Sequence, residues 1–127
     1  MKSLLALFFL SMSTMAIAQT NALQAINSAL QRGDAATVAS YFDQSVVLDI
    51  LGDEAIATPA EARNRLEKFF TSHKPAGFKQ SHSGSSQGKD SHYMIGELND
   101  GKGSYRVYLY FKTSGGKYTL QELRIDQ

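Results

Sequence analysis

Residues 91–126 read SHYMIGELNDGKGSYRVYLYFKTSGGKYTLQELRID. Three runs rich in aromatic and β-branched residues are separated by two glycine turns, Gly101-Lys102-Gly103 and Gly115-Gly116. That spacing predicts three antiparallel strands in a meander. In the middle run, alternation puts Tyr105, Val107, Leu109 and Phe111 on one face and Arg106, Tyr108, Tyr110 and Lys112 on the other. The first set is the better core. Tyrosines and arginine on the opposite side have the composition of a contact surface. In the last run the apolar parity changes between Leu120 and Leu123, which a bulge near Gln121-Glu122 reconciles and which curves the sheet.

Upstream of the meander, Phe78–Ser85 alternates as a polar edge strand, with Phe78, Gln80, His82 and Gly84 assigned to one face. Before it, Thr58-Pro59-Ala60-Glu61 is a capping box with proline at the first helical position. The helix it opens runs to about Ser72, buries Ala62, Leu66, Phe69 and Phe70, pairs Glu61 with Arg65, and stops at Lys74-Pro75. Ser45–Leu51 (SVVLDIL) reads as a strand, with Val46, Leu48 and Ile50 on the core side. Leu23, Ile26 and Leu30 mark a first helix capped by Thr20 or Asn21 and ended by Gly33. Asp34 caps a short second helix through Phe42.

The start of the chain is of another kind. Lys2, the apolar run Leu4–Met12 and Ala16-Ile17-Ala18 have the order of a secretory signal peptide, removed after Ala18. Taking 18 residues from 127 leaves 109, one domain over 19–127. The 13 basic and 12 acidic side chains become even once Lys2 is lost. No basic stripe points to nucleic acid, and no remaining run is long enough to span a membrane. There is no cysteine for a disulfide or lipid anchor.

The order helix, helix, strand, helix and then four strands is an α+β arrangement: three N-terminal helices on a curved antiparallel sheet. The order resembles the cone-shaped nuclear-transport-factor-2-like (cystatin-like) fold. The residues that carry the resemblance are the Gly33-Asp34 corner, Tyr41-Phe42-Asp43, the strand Val46–Leu51, the helix Pro59–Ser72 and the closing meander. His82-Ser83-Gly84-Ser85-Ser86, Tyr93-Met94-Ile95-Gly96, Tyr105-Arg106-Val107-Tyr108 and Leu123-Arg124-Ile125-Asp126 are further similar to an uncharacterised family of short secreted bacterial proteins with this fold. The resemblance implies a cone whose inside can hold a ligand and whose outer sheet face can be a dimer surface. Members of the wider fold include isomerases, dehydratases and binding modules, so fold alone does not choose an activity.

Candidate chemistry is sparse. Gly84-Ser85-Ser86-Gln87-Gly88-Lys89 has the outline of a phosphate-binding loop, but it has three residues between its glycines where four are needed, and Asp90 where Ser or Thr is needed. His73 sits at a helix end, where it helps to cap carbonyls. His82 and His92 lie on neighbouring strands and are placed to face each other, yet no metal-binding spacing accompanies them. Asp49 beside an apolar pocket has the makings of a proton-transfer base, but its parity favours a solvated or ion-paired carboxylate, with Arg124 or Arg106 as partner.

The leading expectation is an exported, periplasmic or extracellular, non-catalytic binding or assembly domain without cofactor or metal. Its cone would hold a small apolar ligand lined by Phe42, Leu48, Phe69, Phe70, Met94, Tyr105 and Val107, and Arg106, Tyr108 and Tyr110 would be outer contacts. A cofactor-free isomerase or dehydratase using Asp49 or His82 is the second reading. A structural homodimer through the outer sheet face is the third.

Overall fold

A computed structural model describes residues 14–127 except Lys89, with side chains from Asn21 onward. Met1–Ser13, most of the expected leader, lie outside the described residues. Helix α1 spans Thr14–Arg32, and so begins before the expected cap at Thr20 or Asn21. Its spacing buries Ile26, Ala29 and Leu30 completely. Gly33 (φ 68°) ends it. The N–H of Asp34 donates to the Ala29 carbonyl at 2.8 Å and that of Gly33 to Leu30 at 3.4 Å, a Schellman closure that needs a left-handed residue at Gly33.

Asp34 caps α2 by accepting from the Thr37 N–H. The Thr37 hydroxyl, and after it that bond, hold its carboxyl below the ordinary value. Helix α2 covers only Ala35–Ala39. The expected extension to Phe42 fails because Phe42 already opens strand β1, Phe42–Ile50, pairing with Leu120. Helix α3, Pro59–Ser72, has the complete Thr58/Glu61 capping box and buries Ala62, Leu66, Phe69 and Phe70. Arg65, however, does not take Glu61. It bonds the Asp53 carboxylate at 2.9 Å, because Glu61 is turned back to the Thr58 N–H.

Six strands form one sheet: β1, β2 (Asp53–Ala57), β3 (Gly77–Ser85), β4 (Ser91–Asn99), β5 (Ser104–Ser114) and β6 (Lys117–Asp126). Their order is β2-β1-β6-β5-β4-β3, with β1 and β6 parallel and every other neighbour antiparallel. Strand β2 was not expected from the sequence. It is made by a two-residue turn at Leu51 (φ 54°) and Gly52 (φ 89°), two left-handed residues that set Ile50 opposite Asp53. Gln121 is the extra residue of a bulge opposite Tyr110-Phe111, in the expected place. A second bulge at Ser81 divides β3. Phe78 stays on the helix side, 6 % exposed, whereas His82 and Gly84 pass to the other face, so the four residues expected on one face are split.

The helices cover one face of this curved sheet. Phe78 lies across Gly96, where an added Cβ would come within 2.3 Å of the ring. Leu98, Val107, Leu109, Phe111, Leu120, Leu123 and Ile125 close the core against α1 and α3.

Candidate functional site

Arg106, Tyr108, Tyr110 and Lys112 alternate with buried neighbours along β5 and stand on the face away from the helices. Strand pairing extends them into rows across the sheet. One row runs Ile56, Val47, Glu122, Tyr110, Tyr93, Gly84. The next runs Glu54, Asp49, Arg124, Tyr108, Ile95, His82. The Tyr93 ring lies over Gly84, where any Cβ would approach it within 2.7 Å. Tyr93 and Tyr110 are directly paired and are 38 % and 36 % exposed, and Ile56 is 75 % exposed. The Tyr108 phenol is pushed up by burial and by Glu122, so it remains a neutral hydrogen-bonding group.

Beside this aromatic patch, Arg124 Nη1 bonds Asp49 at 2.9 Å and Glu54 at 3.3 Å, and its Nε bonds Glu122. The Glu122 and Glu54 carboxylates drive the guanidinium further towards its charged form. Asp49 also accepts from the Gly52 N–H at 2.9 Å. Its partner is therefore Arg124, one of the two named from the sequence. Arg106 stands instead between Glu97 and Asp126. His82 lies on the outer face opposite Ile95, whereas His92 pairs with Phe111 on the helix side. The two histidines do not face each other, because the Ser81 bulge reverses the facing of His82.

The seven residues proposed to line the cone are all in the core. Leu48, Met94 and Val107 are 1 % exposed or less, and Phe42, Phe69, Phe70 and Tyr105 9 % or less. Phe69 and Tyr105 meet edge to face at 5.5 Å. His73 Nδ1 lies 3.0 Å from the Tyr105 hydroxyl and 3.2 Å from Asp100. The N–H groups of Lys102 and Gly103, with the His73 ring, hold the Asp100 carboxyl below its ordinary value. The Asp100 side chain is 6 % exposed, so this cluster locks the end of α3 to the β4–β5 turn.

A cleft of about 810 Å3 opens where α1, the start of β1 and the β5–β6 turn meet; Phe42, Asp43 and Tyr118 are among its lining. Of the seven proposed cone residues only Phe42 reaches it. Sequence reasoning missed this cleft, and missed Tyr93, Ile95 and Ile56 on the outer face. The parity of Met94, a core residue, was the available signal for Tyr93 and Ile95.

The family model of a domain of unknown function, DUF4783, matches residues 23–126. A DUF4783 family protein from Bacteroides ovatus is 27% identical, with 81% of this chain and 92% of that chain covered and a TM-score of 0.75. One from Bacteroides fragilis is 28% identical, with 81% and 95% covered and a TM-score of 0.75. An NTF-2 like protein of unknown function from Burkholderia xenovorans is 16% identical, with 89% and 86% covered and a TM-score of 0.60, which is a likeness of fold alone. No curated protein matches the chain.

Proposed function

The chain belongs to the DUF4783 family, and we propose that it is an exported, non-catalytic assembly domain whose outer sheet face receives a second copy of itself. The observation that carries this reading is the concentration of Tyr93, Tyr110 and Ile56, three of the four exposed large hydrophobics among the described residues, on that one face. Adjacent tyrosines that become fully buried are typical anchors of an interface. The occupant follows from charge. Arg106, Lys112 and Arg124 share the face with Asp49, Glu54, Glu97, Glu122 and Asp126. The two signs are interleaved, so the face carries no single-sign field that would repel a second copy across a two-fold axis, where the same patch meets itself. Export rests on the leader pattern of residues 1–18.

The other readings draw less support. Residues packed at 0–1 % exposure, such as Leu48 and Val107, fill the space an apolar ligand would need. Asp49 and His82, the candidate proton-transfer groups, lie on the outer face away from the helices, and the Asp49 carboxylate is already taken up by Arg124 and the Gly52 N–H.

Light scattering of the chain starting at Gln19 tests the proposal. A dimer mass is expected, and Tyr93→Ala with Tyr110→Ala should return a folded monomer. A monomer at all concentrations, or a dimer unchanged by the double replacement, would contradict it.

A further inference from the structure

The ladder between β1 and β6 is broken next to the cleft that Phe42, Asp43 and Tyr118 line. Phe42 pairs with Leu120 and Val47 with Glu122, so five steps along β1 answer two along β6. Asp43, Gln44 and Ser45 fall in the gap, beyond the last β2 pair at Val46. Of these three, Asp43 and Gln44 line the cleft.

Two groups at this place are held in position. The Asp43 carboxylate accepts from Gln121 Nε2 at 2.9 Å on one oxygen and from the Gln44 N–H at 2.8 Å on the other. Each oxygen keeps accepting capacity for a further donor. The Tyr118 ring is braced by two edge contacts, at 5.8 Å from His92 and 5.8 Å from Phe111. Tyr41 and Phe42 add apolar surface, and Asn21, Gln44 and Thr119 add groups that both donate and accept.

The charge of the lining excludes the obvious alternatives. Asp43 and Lys117 are its two ionic side chains and cancel, so there is no cationic cradle for a phosphate. The polar rim suits no purely apolar ligand. A volume of about 810 Å3 is of the size that holds a small molecule. A rigid aromatic ring, a fixed carboxylate and side-chain amides together match a neutral polyol with apolar C–H faces.

We propose that this cleft is a saccharide-binding site, with Tyr118 as the stacking platform and Asp43 and Gln44 as hydroxyl partners. Its platform, Tyr118, packs on Phe111 on the helix side of the sheet, whereas Tyr93 and Tyr110 stand on the outer face.

Three probes test it: maltotriose, cellotriose and tri-N-acetylchitotriose, each titrated into isotopically labelled protein and followed by amide shifts and saturation transfer to the sugar. At least one should bind and move the signals of Asp43, Gln44, Tyr118 and Thr119. Asp43→Asn and Gln44→Ala should each weaken that sugar about tenfold, the loss expected for a hydrogen bond made with a charged or well-placed group. Tyr118→Ala should abolish binding. Because Tyr118 also packs on Phe111, the exposed Gln44 supplies the variant whose fold is not in question. Silence from all three sugars, shifts confined to other regions, or full affinity in Asp43→Asn and Gln44→Ala would each overturn the proposal.

Discussion

The two faces of β5 are made from similar material and do different things. Tyr105, Val107, Leu109 and Phe111 are buried to 5 % exposure or less, and they tie the sheet to the helices. Arg106, Tyr108, Tyr110 and Lys112, interleaved with them, stand on the opposite face and remain partly or fully open. The difference lies in what covers each face. Aromatic residues stabilise the fold only where something packs on them, so the same residue type is structural on one side and available for contact on the other.

The largest effects should separate the faces. Phe111→Ala should cost about 3–5 kcal/mol, as for other fully buried phenylalanines. Tyr110→Ala should shift stability by less than about 0.5 kcal/mol in the monomer, as for an ordinary surface change. Chemical denaturation of both variants at low protein concentration makes the comparison, and equal losses would erase the distinction. Next in size is Gly96→Ala. Its Cβ would meet the Phe78 ring at 2.3 Å and the Lys79 carbonyl at 2.8 Å, so an overpacking cost of about 1–3 kcal/mol is expected. A neutral outcome by the same measurement would mean that Phe78 is free to leave its place.

Much of this contrast was legible in the sequence, because it follows from two-residue parity and from local signals. The Thr58/Glu61 box, the Gly33 closure, the burial of Phe69 and Phe70 and the Gln121 bulge all depend on neighbours in the chain. Strand β2 was not legible. DEAIA has two acids and two alanines, weak strand formers, and becomes a strand only because Leu51-Gly52 folds it back onto β1. The facing of His82 was lost for a similar reason, since nothing local marks Ser81 as a bulge. The Arg65–Asp53 pair and the Asp43 cleft depend on elements brought together from distant parts of the chain.

Smaller effects probe each side further. On the outer face, Arg124→Met would leave Asp49, Glu54 and Glu122 without their shared cation. The pairs are partly exposed, so the loss should be about 1 kcal/mol and should shrink as salt is raised. A thermal melt series in salt checks this; a loss independent of salt would point to packing instead of charge. On the inner face, burial pushes the His92 imidazole below its ordinary value of 6.5, so the native state favours the neutral ring. The unfolded chain then takes up the proton first as pH falls. The His92 contribution is therefore fully present above about pH 6.5 and is lost as pH drops through the lower native value. His92→Phe should flatten that part of the stability profile, and a profile unchanged between wild type and variant would show that His92 titrates as it does in the unfolded chain.

One face of the sheet is covered by α1 and α3, and the proposed cover of the other is a second copy. Hydroxyl-radical footprinting read by mass spectrometry across a dilution series tests it directly. Tyr93, Tyr108 and Tyr110 should lose reactivity together as concentration rises, while Tyr41 and Tyr118 on the cleft side stay constant. Reactivity of Tyr93, Tyr108 and Tyr110 that is the same at every concentration would contradict the claim.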